Sequence, residues 1–378
     1  MHIRKRGRKV YGTGWKRDPL GPRFRNNFVW GQRFLQMSAA LPDRLCNGRA
    51  RAIPVSFIHA PVAEKPRQNA LPQVWQEYRQ RQNATRISAV GARALHNTRR
   101  RLDNQWQGRD LICAVDGGFT NRTMFRDIPE HTILIGRIRK DAKLFAVPDT
   151  DGDVSYRGRP RWYGRTLPTP EAIRQDDTIP WQQVEAFAAG TRHLFDVKSI
   201  PAARWAGTGK RTAQVLIIRP LAYRPRKGSR LLYRAPAYLL CTDPALPLSR
   251  LLQAYLWRWE VELNFRDEKS LLGVGQAQVR TPASVEKVPS LIVASYAMLL
   301  LAGAAASNSS KILPKPKWQQ TQPKQRCTTQ QLIGLLRAQL WEKAMIINLR
   351  HFAKTKQTTQ SHLNNSNSLT SAVCYAIK

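Results

Sequence analysis

Acidic side chains are scarce in this sequence. Asp and Glu number 25 against 62 Lys and Arg over 378 residues, leaving a formal charge of +37 and an isoelectric point near 11.1. An excess of that size needs a polyanionic partner, and nucleic acid is the first candidate. Ribosomal or anionic-membrane binding would give a similar count, but neither explains 11 Trp residues or the long apolar core pattern. Cysteine is also sparse. Cys46, Cys113, Cys241, Cys327 and Cys374 are far apart, odd in number and never in a Cys-x-x-Cys pair. That excludes a disulfide scaffold and a thiolate zinc site, and it points to reduced thiols in a cytoplasmic protein. The 7 histidines are scattered, with no pair at metal-ligand spacing. The basic N-terminus, MHIRKRGRKVYGTGWKR, lacks the apolar stretch of a secretion signal and reads as a DNA-facing arm or a frayed end. Long apolar runs are few as well. Val288 to Ala306 carries no charge, but Ala, Gly and Ser dilute it and Pro289 shortens it, so a buried core helix is expected rather than a membrane span.

What the sequence does contain is a polar pattern within Tyr255 to Lys269, YLWRWEVELNFRDEK. Helix formers fill this stretch, and it has no Gly or Pro. On an ideal helix with Tyr255 at zero, Arg258, Glu262 and Lys269 fall at roughly 300°, 340° and 320°, so the four share an arc of about 60°. One face then carries a carboxylate flanked by a phenol and two cations. Leu256, Trp257, Trp259, Val261, Leu263 and Phe265 occupy the other faces and are expected to bury. Charge pairs between Glu262 and Arg258 or Arg266 on a solvated helix would explain the pattern too. A metal ligand whose neighbours hold a polyanion explains it more sharply.

The spacing Tyr255, two residues, Arg258, three residues, Glu262, six residues, Lys269 resembles the Y-R-E-K signature of DDE-type transposases from bacterial insertion sequences. AVDGGFTN at 114–121, LIGRIRKDAKL at 134–144, YLLCTD at 238–243 and GVGQAQVR at 273–280 are similar to that family too, and the resemblance runs from about residue 10 to the C-terminus. It implies an α/β fold: a ribonuclease-H-like mixed sheet flanked by helices, with a β-rich insertion before the glutamate-bearing helix. By the same resemblance, Asp116 is the second catalytic carboxylate and Glu262 the third, both ligating Mg²⁺, for which Mn²⁺ can substitute. Tyr255, Arg258 and Lys269 would hold the DNA, and the protein would cut and join strands by metal-dependent phosphoryl transfer, as a homodimer on paired DNA ends in the nucleoid. The family's first aspartate lies on a strand ahead of the segment that 13–34 resembles. Here only MHIRKRGRKVYG precedes that segment, without an acid, so the chain is expected to begin inside the family's sequence. Asp18, the sole acid before Asp43, is the one stand-in. Loss of one of three acids would cripple chemistry and leave DNA affinity, so a catalytically silent DNA-binding remnant is the alternative function.

In chain order the sequence divides as follows. Residues 1–27 form the basic arm, and 28–144 the first part of the catalytic domain. Within it Phe28 to Leu41 and Ala50 to His59 read as neighbouring strands, and Leu71 to Gln105 as helix interrupted at Gly91. Asp110 to Val115 is an apolar run typical of a buried central strand, and Asp116 at its end is either a site acid or the cap of a helix near Thr120. Thr132 to Ile138 is a second buried strand, followed by Arg137, Arg139, Lys140 and Lys143, which suit phosphate contacts. Residues 145–235 read as the β-rich insertion, in which GRPRWYGR and YRPRKGSR interleave cations with aromatics. Residues 236–306 complete the catalytic domain with a strand at 237–242, a turn residue at Asp243 and one glutamate helix from Leu248 to Leu272. A linker and terminal helix (307–354) and a polar tail (355–378) follow.

Overall fold

A computed structural model describes residues 1–17, 27–43, 48–148, 161–224, 228–305, 327–337 and 339–340. Asp18, the linker at 311–325 and the polar tail lie outside these residues. Four strands open the chain: β1 (His2–Arg4), β2 (Gly14–Arg17), β3 (Phe28–Pro42) and β4 (Ala50–His59). They form one antiparallel sheet in the order β1-β3-β2, with β4 pairing the far half of β3. Residues 1–17 are therefore built into a sheet rather than standing off as a separate arm, because β3 is long enough to pair β1 and β2 at one end and β4 at the other.

Helices α1 (Pro72–Ala84) and α2 (Ile87–Asp103) follow. Their break falls at Thr85 and Arg86, not at Gly91. Gly91 sits inside α2, where a Cβ would meet Phe119 at 3.0 Å and Met124 Sδ at 3.1 Å, so it serves close packing. The chain then enters an eight-stranded mixed sheet. Its strands are β5 (Leu111–Val115), β6 (Thr132–Arg137), β7 (Leu144–Phe145), β8 (Thr166–Leu167), β9 (Gln182–Ala188), β10 (Thr191–Trp205) and β11 (Thr212–Ile218). After a small hairpin of β12 (Ala222–Tyr223) and β13 (Leu232–Tyr233), β14 (Ala237–Cys241) completes it. Helices α3 (Arg122–Phe125) and α4 (Pro170–Gln175) lie within this stretch, and α5 (Leu248–Trp257), α6 (Glu260–Ser270) and α7 (Pro282–Ala305) come after it.

Strand order is β5-β6-β14-β11-β10-β7-β8, with β9 on β10; β5 and β6 run parallel, and all other pairs are antiparallel. The β-rich stretch thus supplies β10 and β11 to the same sheet instead of a separate lobe. Along β11 successive side chains point to opposite faces, and both faces are buried. Val215 and Ile217 join Leu95, Phe125, Leu134 and Leu240 on one side, while Leu216 joins Ile135, Val197, Leu239, Leu251 and Leu252 on the other. Helices α2, α3 and α4 contribute to the first layer and α5 to the second, which makes the architecture α/β with a mixed sheet between helices. Each fully buried aliphatic or aromatic side chain contributes about 1.5–3 kcal/mol.

Two expectations change here. The apolar run of β5 predicts a central strand, yet β5 lies at the sheet edge, and four of its five residues are only half-buried. Composition reports burial, and β5 finds part of its cover from α5 rather than from a second strand neighbour. Likewise α7 is not buried all round. Val285, Pro289, Val293, Tyr296 and Leu300 form its inner face, while Leu291, Met298 and Leu301 are exposed. By length and composition α7 is the one described helix able to cross a membrane.

Lys198, on β10, is fully buried, and its ammonium donates to the carbonyls of Ile173, Arg174 and Asp176 at 3.2, 3.1 and 2.7 Å. It also lies 4.5 Å from the Trp181 ring. One cation closes the C-terminal end of α4, where carbonyls lack intrahelical donors. Lys198→Met keeps the volume and strands those carbonyls, so urea denaturation should show a loss of ~1–2 kcal/mol. An unchanged urea midpoint would show that the ammonium contributes nothing.

Candidate active site

The parallel pair β5 and β6 aligns Val115 with Gly136, so Asp116 and Arg137 leave the sheet side by side at its C-terminal edge. This is where open α/β sheets place ligands. Asp116 Oδ1 accepts from the Gly117 N–H at 2.8 Å and caps a single 3-10 turn, Gly117–Phe119. The short helix that follows is α3, whose N-cap is Asn121, accepting from Thr123 and Met124 at 3.0 and 3.3 Å. The capping role of Asp116 is therefore real. It occupies one oxygen only, and the side chain remains 71% exposed.

The helix expected from Leu248 to Leu272 is broken. α5 ends at Trp257, α6 begins at Glu260, and between them the bonds tighten to i→i−3: Arg258 to Tyr255, Trp259 to Leu256, Val261 to Arg258 and Glu262 to Trp259. Neither Gly nor Pro causes this. Trp257 is tied by its indole N–H to the Gly48 carbonyl at 2.8 Å, which fixes the end of α5 on the loop between β3 and β4. The break keeps part of the expected face together. Arg258 stands 5.5 Å from the Tyr255 ring, 3.2 Å from Glu262 Oε1 and 3.8 Å from Asp116 Oδ1. A single guanidinium nitrogen thus reaches both carboxylates.

The four side chains face different depths of solvent. Arg258 is 19% exposed and its Nε is buried without a hydrogen-bond partner, while Glu262 is 41% exposed. All three charged groups line a groove of about 2340 Å³ bounded by β3, α2, β5, the β9–β10 turn region, α5 and α6. Arg33, Arg101, Arg192 and Arg250 line it too, as does Lys269 at a distance from the carboxylates. Lys269 lies instead near the Met1 amine and Glu268, whose ionisation it influences. Arg137 and Arg139 are not brought into the groove. Arg137 donates to the Pro236 carbonyl at 3.1 Å, and Arg139, exposed, makes a forked pair with Asp141 at 2.9 and 3.0 Å. Asp243 closes a turn by accepting from Ala245 N–H at 2.9 Å. β14 is antiparallel to β6, so Asp243 lies at the opposite end of the sheet from Asp116.

The buried face of α6 also departs from its apolar pattern. Val261 and Phe265 line the groove, and Trp259 is mostly exposed, while Asn264 and Glu268 are buried. Asn264 donates to the Ala52 carbonyl at 3.0 Å and accepts from the Tyr296 hydroxyl at 3.3 Å, linking α6 to β4 and α7. Glu268 has no hydrogen-bond partner on either oxygen, and burial pushes its carboxyl up to about 7 against the pull of the Gln36 amide and the Met1 amine. The signal was an Asn and a Glu four positions apart, one turn on the same helix side.

Among the described residues, no three His, Cys, Asp or Glu side chains gather as a metal-ligand group. Asp116 and Glu262 are hard oxygen donors of the kind that hold Mg²⁺ with water and phosphate completing its shell. No family model matches the chain, and no curated protein matches it.

Proposed function

We propose that this chain is a DDE-type transposase with a ribonuclease-H-like catalytic domain, acting on DNA in the cytoplasm through phosphoryl transfer. The observation that carries the reading is the meeting of Asp116 and Glu262 at one guanidinium, from elements far apart in sequence, at the C-terminal edge of a parallel strand pair. Arg101, Arg250 and Lys269 on the walls of the groove suit a polyanionic backbone. Asp116 and Glu262 would hold the divalent ion, which lowers the pKa of a bound water and neutralises charge at phosphorus. Arg258 positions both carboxylates and is placed to meet a phosphate oxygen, and Tyr255 supports the guanidinium by its ring face. Lys269 extends the phosphate track along the groove.

Among the described residues no strand pairs the outer edge of β5. A ribonuclease-H-like site requires a further carboxylate on such a strand. Among the described residues the acids that meet at Arg258 are Asp116 and Glu262, and a DNA-binding protein that does not cut is the second reading.

The test is nicking of supercoiled plasmid DNA in Mg²⁺ or Mn²⁺ by the full chain, Asp116→Ala and Glu262→Ala, with duplex binding measured alongside. Nicking that disappears in both variants while binding persists establishes the enzyme. Tight binding with no nicking by any of the three selects the silent binder. Failure to bind DNA at all removes both readings.

A further inference from the structure

The sheet of β1 to β4 has two unlike faces near its N-terminal end. Val29 and Arg33 point into the groove. Cross-strand register places Trp15 opposite Trp30 and Arg17 opposite Phe28, and side-chain alternation puts these four on the other face. Trp15 is 68% exposed and Phe28 59% exposed. Trp15 meets the Trp30 ring edge-on at 5.5 Å between centroids, and the Trp30 indole N–H donates to the Gly7 carbonyl at 3.2 Å. That last bond ties the backbone at Gly7 to the Trp30 ring, Gly7 being flanked in sequence by the exposed cations Arg6, Arg8 and Lys9, and exposed Arg17 pairs with Phe28. No acid occurs in residues 1–17 or 27–42; Asp18 follows Arg17 in sequence. Trp and Phe exposed to this degree gain little for the fold and mark a contact surface.

We propose that this aromatic face is a stacking platform for unpaired nucleobases, separate from the groove. A π-face takes any base, and the surrounding cations take the phosphates between bases, which is the chemistry of sequence-tolerant single-strand binding. Duplex DNA keeps its base faces covered and can offer the platform only its backbone. The partner is thus a single strand or a frayed end. The proposal rests on the nucleic-acid reading of the chain, not on cleavage.

The experiment measures binding of fluorescein-labelled oligo(dT) and of a blunt duplex to the full chain, Trp15→Ala, Phe28→Ala, Trp15→Phe and the groove variant Lys269→Ala. Trp15→Ala and Phe28→Ala should each weaken oligo(dT) binding about tenfold and leave duplex binding nearly unchanged, with Trp15→Phe retaining most of the affinity. Lys269→Ala should weaken the duplex instead. Equal loss on both substrates, or no loss on oligo(dT), with circular dichroism unchanged, overturns the platform. A change in sedimentation of Trp15→Ala without DNA would make the patch a protein interface and overturn it too. If the duplex ignores Lys269→Ala while oligo(dT) still responds to Trp15→Ala, the groove reading fails and the platform stands.

Discussion

Glu268→Gln should stabilise the protein at pH 8 by ~3 kcal/mol and leave it nearly unchanged at pH 4. The carboxyl ionises near 4.5 in the unfolded chain and at about 7 when folded. Between those values the unfolded state has released a proton that the folded state keeps, so stability falls as pH rises from about 4.5 to 7 and stays low above it. Gln has the same shape and never ionises, and its amide can donate to Gln36 Oε1, which is buried without a partner. Neighbouring groups run the other way. Burial lowers the Met1 amine to about 5 and the His2 imidazole to about 4, so each contributes stability that is gained as pH rises through that range. The wild-type profile is therefore flattened, and the readout is the difference between variant and wild type in guanidinium midpoints at the two pH values. A difference of equal size at both would show that ionisation of Glu268 is not its source.

Gly136→Ala should destabilise by ~2–3 kcal/mol, in the range of overpacked cores. A Cβ at this position would lie 2.3 Å from Thr120 Oγ1 and 2.9 Å from Phe125 Cζ. β6 cannot yield, since β5 holds it on one side and β14 on the other. Phe125 is fully buried, so Thr120 must move, and it belongs to the loop that begins at Asp116. Because Thr120 Oγ1 is itself buried without a hydrogen bond, Thr120→Ala should cost little. The double variant should then recover most of the stability, a coupling that a double-mutant cycle reads directly. If the two losses simply add, the contact with Thr120 is not the cause.

Much of the frame is legible in the sequence. β3, β4, β6 and β14 fall where alternation or continuous apolar runs place them, since those patterns follow burial on one face or both. Asp116 and Glu262, the two acids that the resemblance implies, both lie beside Arg258. What failed to show was of a different kind. The break at Arg258 depends on Trp257 reaching Gly48, a contact across the chain that no local propensity encodes. β5 reads as central because apolar content does not say which neighbour does the covering. The bonds that Arg137 makes to Pro236 and Arg139 to Asp141 could not be foreseen either, because a cluster of cations carries no record of its neighbours. Buried Glu268 was hidden by its charge, which ordinarily places a residue at the surface.

The wide separation of the groove walls has a kinetic consequence. β3 comes from the first part of the chain, Asp116 from the middle and α6 from well beyond it. Closing a loop of roughly 150 residues costs entropy that only later contacts repay, so pairing of this kind belongs to slow, topologically complex folding. Arg258 meets Glu262 within one helical turn, but it reaches Asp116 only once α5 has packed against β5. The pair of carboxylates at Arg258 is therefore complete only once the non-local part of the fold has closed.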